Sequence, residues 1–270
     1  MTTVGCCGFP VSRSEYYRRF STVELNAPFY VLPRVETAKK WRSEAPEGFV
    51  FCLKAWQLIT HPSTSPTYRR LAGKLPPRPE RCGHFQDTDE VRGAWERVSE
   101  LAEALHARFI LFQTPASFHP GASHLRDLYR FFKRIRRRRS VFVWEPRGGW
   151  DDRVVSKVCA DLDLVHGADP LLRRALGSAV PGGCRSSAPG GGGRPRYFRM
   201  HGRMEGRRLV YSHAYSDAEL EALRRLCAGA GAFVYFNNAE MWRDAGRFRE
   251  LMEEEDVRVR GTVPLRRAAG

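Results

Sequence analysis

Apolar residues recur along the chain in eight short runs: Thr3–Gly8, Thr22–Phe29, Phe49–Ala55, Phe109–Thr114, Val141–Arg147, Leu162–Asp169, Tyr197–Gly202 and Phe233–Asn238. Their shortness and their β-branched and aromatic content predict strands rather than helices. Between most of them apolar positions return at helical spacing, over Val35–Glu44, Asp89–Ala107, Ser123–Arg138, Asp151–Asp161, Ser216–Ala228 and Trp242–Glu254. Ser216-Asp217-Ala218-Glu219 has the form of a capping box, and Asp151 stands where it can cap the helix that follows. Strand and helix alternating through short links predict parallel strands with right-handed crossovers. Eight such units predict closure into an α/β fold of the (β/α)8 TIM-like barrel type, one domain over residues 1–270. An open doubly wound sheet is the rival, but no G-x-G-x-x-G follows the first strand.

Two stretches break the rhythm. Residues 61–88, with five prolines between His61 and Asp87, predict a long loop after strand three. Residues 177–196, with Gly190-Gly191-Gly192-Gly193, predict a flexible loop after strand six, and 262–270 a flexible tail. Both loops follow a strand, which in a barrel places them on the face that carries chemistry.

The strand C-termini carry the candidate site. Strand two ends Glu24-Leu25-Asn26, strand five Glu145-Pro146-Arg147 and strand seven Arg199-Met200-His201. In each, two polar residues lie two apart and so face the same side of the strand. Lys54, Gln113, Asp169 and Asn237-Asn238 close strands three, four, six and eight, and His61 follows strand three. In a barrel these groups converge on one rim. Some of them have a plainer role open to them, since Glu24 with Lys54, or Glu145 with Arg147, could be no more than a buried ion pair.

The chemistry on offer is acid, base and anion recognition. Glu145 and His201 are the expected proton-transfer pair. Arg147 and Arg199 can grip an anion in bidentate fashion. Lys54 is expected to stabilise charge, or to attack a carbonyl if desolvated. Glu24, Asn26, His61, Gln113, Asp169, Asn237 and Asn238 are expected to orient a substrate or these side chains. Glu145, Asp169 and His201 form a three-ligand set, but few histidines reach the rim, so neither a metal nor another cofactor is expected.

Charge changes the picture less than its size suggests. The chain carries 45 basic and 30 acidic residues, a formal +15 with a pI near 10.0. Six of the basic residues are lysines and 39 are arginines, a skew that GC-rich codons produce as readily as selection for binding. Arg134-Ile135-Arg136-Arg137-Arg138-Arg139 ends the fourth helix in this reading and falls on the face opposite the rim. The seven cysteines, an odd number without a C-x-x-C pair, predict reduced thiols. No run of 18 apolar residues and no secretory signal is visible, so a cytoplasmic protein without a membrane partner is expected.

Ordered blocks of residues also resemble a known family. Tyr16-Tyr17 to Phe20, Thr22-Val23-Glu24-Leu25-Asn26, Phe29-Tyr30, Pro46-Glu47-Gly48-Phe49, Lys54 and Thr60-His61 are similar to the opening of the YecE-like proteins, a domain of unknown function. Leu111-Phe112-Gln113, Glu145-Pro146-Arg147 with Trp150, Tyr197 to Gly202, and Tyr235-Phe236-Asn237-Asn238 continue the resemblance. It implies a TIM-like barrel and leaves the activity open. The chain departs from the pattern at Cys7, where a serine is usual, and at Phe9, where a tryptophan is usual.

The reading that follows is a metal-independent barrel enzyme performing acid–base chemistry on an anionic, phosphate-bearing substrate. Two alternatives stand beside it: a nucleic-acid-binding or processing protein using its basic surface, and a non-catalytic receptor for a small ligand.

Overall fold

A computed structural model describes residues 2–71, 75–175, 195–206, 208–228 and 231–261. The chain runs β1 (Thr2–Cys6), α1 (Arg13–Arg19), β2 (Thr22–Leu25), α2 (Ala27–Tyr30), α3 (Val35–Glu44), β3 (Val50–Lys54), α4 (Gln57–Thr60), α5 (Asp89–Ala104), β4 (Phe109–Gln113) and α6 (Ala122–Arg134). It continues β5 (Val141–Glu145), α7 (Asp152–Asp161), β6 (Val165–Ala168), α8 (Pro170–Ala175), β7 (Arg196–Met200), β8 (Arg203–Glu205), β9 (Arg208–Val210), α9 (Asp217–Cys227), β10 (Ala232–Phe236) and α10 (Met241–Gly261). Eight parallel strands close into a barrel in the order β1-β10-β7-β6-β5-β4-β3-β2, sealed where Cys6 of β1 pairs with Val23 of β2. The (β/α)8 expectation holds.

Alternation along each strand sorts side chains between two cores. Phe51, Leu53, Phe112, Trp144, Phe198 and Phe236 belong to the large core shared with the helices. The intervening Cys52, Phe109, Leu111, Val143, Val165, Tyr197, Phe233 and Tyr235 form a second, separate cluster that fills the barrel. Two residues beyond these interior positions, on the same side of the same strands, come Lys54, Gln113, Glu145, Arg199 and Asn237. The period of two therefore carries the interior from apolar to charged as the strands reach their C-terminal ends.

Local differences from the sequence expectations have local causes. Strand two stops at Leu25 instead of Phe29, because Ala27–Tyr30 turn into a short helix with Pro28 in its first turn, where a missing N–H costs nothing. Helix α6, expected to include the arginine run, ends at Arg134, and Ile135 is extended, so Arg136–Arg139 lie in the loop before β5 rather than in the helix. Ser216 does form a capping box with Glu219, and Asp151 caps α7 through the Arg153 and Val154 amides. The hairpin β8–β9 was not anticipated; its three-residue strands are too short and exposed to show a period. The expectations for 177–194 and for the tail 262–270 lie outside the described residues. No helix among the described residues is long and apolar enough to cross a membrane.

The described residues of the stretch expected as a long loop after strand three include 3-10 turns at Pro66–Arg70 and Pro79–Arg81. Gly83, His84 and Phe85 all have positive φ, of 85°, 51° and 57°. This lets their three amides bond the carbonyls of Leu58, Thr60 and Ile59, the otherwise unpaired end of α4. A Cβ on Gly83 would meet the His61 carbonyl oxygen at 2.2 Å. Gly83→Ala is therefore expected to lower the unfolding free energy by at least about 2 kcal/mol, read by urea denaturation. A wild-type midpoint would show that this loop does not bear on stability.

Candidate functional site

Arg199 is the centre of the rim. Its side chain is 1% exposed and reaches groups on four other parts of the barrel wall. Nε donates to Glu24 at 2.9 Å and Nη2 to the same carboxylate at 2.8 Å, a bidentate pair across the barrel. Nη1 donates to Glu145 Oε2 at 2.6 Å and approaches the Gln113 amide oxygen at 3.4 Å. Nη2 also approaches Asn26 at 3.5 Å. Glu24 accepts two further hydrogen bonds, from Tyr197 Oη at 2.7 Å and Cys7 Sγ at 3.1 Å. So Glu24 pairs with Arg199, not with Lys54.

Glu145 is held by two guanidinium groups. Arg147 Nη2 lies 2.6 Å from Oε1 while Arg199 holds Oε2. Burial alone would raise the Glu145 carboxyl, but Arg147 and then Arg199 outweigh it and hold it well below the usual carboxylate range. The Arg199 guanidinium runs the other way: burial opposes its charge, yet Glu24 and Glu145 push its pKa above the ordinary arginine value.

His201 is enclosed by the same groups. Its Nε2 lies 2.8 Å from Arg147 Nη2 and 3.1 Å from Arg199 Nη1. A guanidinium only donates, so Nε2 must accept, and the imidazole is neutral with its proton on Nδ1. Nδ1 faces Asp169 Oδ2 at 3.5 Å without hydrogen-bond geometry. Burial, and then Arg147, lower the His201 pKa, in keeping with the neutral ring. Asp169 is itself fixed by backbone amides: Oδ2 accepts from His201 at 2.8 Å, and Oδ1 from Leu171 and Leu172 at 3.1 Å each.

Lys54 differs from all of these. Nζ donates to the Gln113 amide oxygen at 2.9 Å and lies 3.9 Å from the centre of the Phe29 ring. Among the described residues it has no carboxylate partner. Burial first, and then the neighbouring Arg199 charge, lower its pKa from 10.5 to about 7. His61 lies behind the same ring, 4.8 Å from Phe29 and bonded to Thr60 at 2.8 Å. Burial and the Lys54 charge lower His61 to about 3, so it stays neutral.

The structure thus brings together Glu24, Asn26, Lys54, Gln113, Glu145, Arg147, Asp169, Arg199 and His201, with Asn237 joined through a 3.3 Å bond from Asn26. Among the described residues His61 reaches the cluster through the Phe29 ring. Asn238 does not join it: its amide donates to the His213 carbonyl and to Asp244, tying the loop before α9 to α10. Among the described residues no group of three His, Cys, Asp or Glu could hold a metal ion. Glu145 and the His201 Nε2 lone pair are both turned to the Arg147 and Arg199 guanidinium groups. Asn26, Gln113, Arg147 and Asn237 are partly exposed and line the open side.

Sequence reasoning passed over three contributors. Cys7 and Tyr197 complete the shell of Glu24, and both stand at inward positions that the alternation identifies once β1 and β7 are placed. Tyr211, just past the hairpin, lies edge-on to His201 with ring centres 6.2 Å apart. A signal that could have found it is Gly206, which opens the turn after β8 with a φ of 59°.

Comparison with known proteins agrees with this architecture. A protein of Bacillus subtilis, UPF0759 protein YunF, is 24% identical over 278 residues, covering 92% of this chain and 88% of its own length. The crystal structure of a DUF72 family protein from Enterococcus faecalis superposes with a TM-score of 0.65 at 18% identity, covering 94% of this chain and 98% of that one. Another from Thermotoga maritima gives 0.61 at 21% identity, covering 94% and 99%. At these identities the likeness establishes the fold alone. The model of the family described as "Protein of unknown function DUF72" matches residues 12–268, and the chain belongs to that family.

Proposed function

We propose that the rim binds a small anionic, phosphate-bearing substrate and that Lys54 exchanges the proton in an acid–base reaction on it. The observation that carries this reading is a buried amine poised near neutral pH with, among the described residues, no carboxylate to hold its proton. Every other ionisable group around it is already committed. Glu145 is bonded by two guanidinium groups, and the His201 Nε2 lone pair is occupied by the same two. Both then act as positioning residues for Arg147 and Arg199, rather than as the proton-transfer pair expected from the sequence. Arg147, with a side chain 28% exposed, is the guanidinium available to an incoming anion. Asn26, Gln113 and Asn237 offer neutral hydrogen bonds beside it.

Charge within the cluster supports a linked proton. The cluster holds two guanidinium groups, on Arg147 and Arg199, and three carboxylates, on Glu24, Glu145 and Asp169, so a protonated Lys54 brings the set to neutrality. A bound dianion favours the ammonium further. Sulfate, which does not titrate here, is the probe. At pH 8 its binding is expected to take up between about one half and one proton, read by calorimetry in buffers of different ionisation enthalpy. Lys54→Met should abolish the uptake, and Arg147→Ala should weaken binding about tenfold or more. Binding without proton uptake, or uptake that survives Lys54→Met, would remove Lys54 from the reaction.

A further inference from the structure

The opposite end of the barrel has a second concave, charged site that the rim chemistry does not use. A cleft of about 920 Å³ lies between α5 and the loop that precedes β5, with Trp95, Ala102 and Ile110 among its inner lining. This is the size range of pockets that enclose small ligands. Arg108, Arg136, Arg137, Arg138 and Arg139 all line it. Two of the five are engaged: Arg138 with Glu103, and Arg137 with Asp163 and the Leu162 carbonyl. Arg136 and Arg139 are exposed, and among the described residues neither has a carboxylate partner. Among the described residues Arg108 likewise has no carboxylate partner; its guanidinium lies 5.0 Å from the centre of Phe233 and 5.5 Å from that of Phe109, at the floor of the barrel.

The walls are fixed. Ser140 Oγ donates to the Ala107 carbonyl at 2.7 Å, and the Val141 amide to the Arg108 carbonyl at 2.8 Å, so the two arginine-bearing loops are stitched together. His106 and Arg138 both adopt left-handed backbone, with φ of 51° and 48°, which turns each loop sharply just before its strand. Non-glycine residues take that conformation at a cost, retained here where the chain presents clustered guanidinium groups.

We infer that this basal cleft binds a small ligand carrying two or more adjacent phosphates. Among the described residues three guanidinium groups around one recess, on Arg108, Arg136 and Arg139, have no carboxylate partner, and several negative charges close together would match them better than a single carboxylate. Guanidinium matches phosphate oxygens in bidentate fashion. All of these groups line one recess of bounded volume, which favours a compact anion over an extended nucleic-acid backbone. The ligand's source is either a nucleoside triphosphate or inorganic oligophosphate.

Calorimetry with ATP and with tripolyphosphate, at physiological salt, separates the two sources. Saturable binding with one ligand per chain is expected, lost at least tenfold in Arg136→Ser/Arg139→Ser. Equal affinity for both probes assigns the site to the phosphates alone, whereas tighter ATP adds a contact to the nucleoside. The double variant should keep the Lys54-linked proton uptake with sulfate, so failure at this cleft and failure at the rim are told apart. Wild-type affinity in the double variant would overturn the inference. So would binding of a single-stranded oligonucleotide a hundredfold tighter than either probe, which would make the face a nucleic-acid surface.

Discussion

Replacing Arg199 by methionine is expected to lower the unfolding free energy at pH 7 by about 3–5 kcal/mol, the usual result of deleting one partner of a buried ion pair. The loss arises less from the bonds removed than from what remains. Glu24 and Glu145 would be left as buried carboxylates, one without a cation and the other with only the half-exposed Arg147. The pH dependence should reverse its sign. In the wild type the Glu145 carboxyl is held low, so its stabilisation is complete above the ordinary carboxylate pKa. It fades only when the pH falls through the depressed value. In the variant the orphaned carboxyls escape by binding protons in the folded state. The deficit should therefore shrink below about pH 5. Urea denaturation at pH 7 and pH 4.5 checks both statements, and an equal deficit at the two values would mean that unpaired charge is not the cause.

Lys54→Met should act in the opposite direction. The wild-type chain gives up the Lys54 proton at about 7 when folded and at the ordinary 10.5 when unfolded. Between those values the unfolded chain holds more protons, so wild-type stability rises as the pH climbs from 7 to 10.5. Below 7 the cost of keeping a charged amine buried is present in full. Methionine has nearly the same length, packs on the Phe29 ring and carries no charge. The variant is expected to be more stable than wild type by up to about 3 kcal/mol at pH 6, with the gain fading toward pH 10. Denaturation across that range decides the matter: a variant less stable at pH 6 would show that the ammonium is structurally required. A protein that keeps a destabilising group at its rim has a use for it there.

Both predictions depend on features with different visibility in the sequence. Strand positions were legible because a barrel strand buries both faces and leaves a continuous apolar run. The rim was legible because polar residues end those runs two apart. Partner choice was not. Glu24 and Lys54 close adjacent strands, yet Glu24 reaches across the barrel to Arg199, whose planar fork binds it bidentately and still reaches Glu145, while Lys54 donates to Gln113. Asn238 neighbours Asn237 in the chain, but the pleat turns it outward to Asp244. The hairpin after β7, which brings Tyr211 over His201, carries too few residues for any periodicity to register.

The Arg199 contacts have a consequence for how the ring assembles. Its guanidinium touches residues from β2, β4 and β5 and the one just after β1, all from its own place on β7. No contiguous segment of the chain can satisfy it. A half-formed sheet would expose this arginine and its acidic partners to water, where each is content, so electrostatic reward arrives only when the last seam closes. The cluster then works as a checkpoint on strand order, rewarding the closed circuit and nothing short of it.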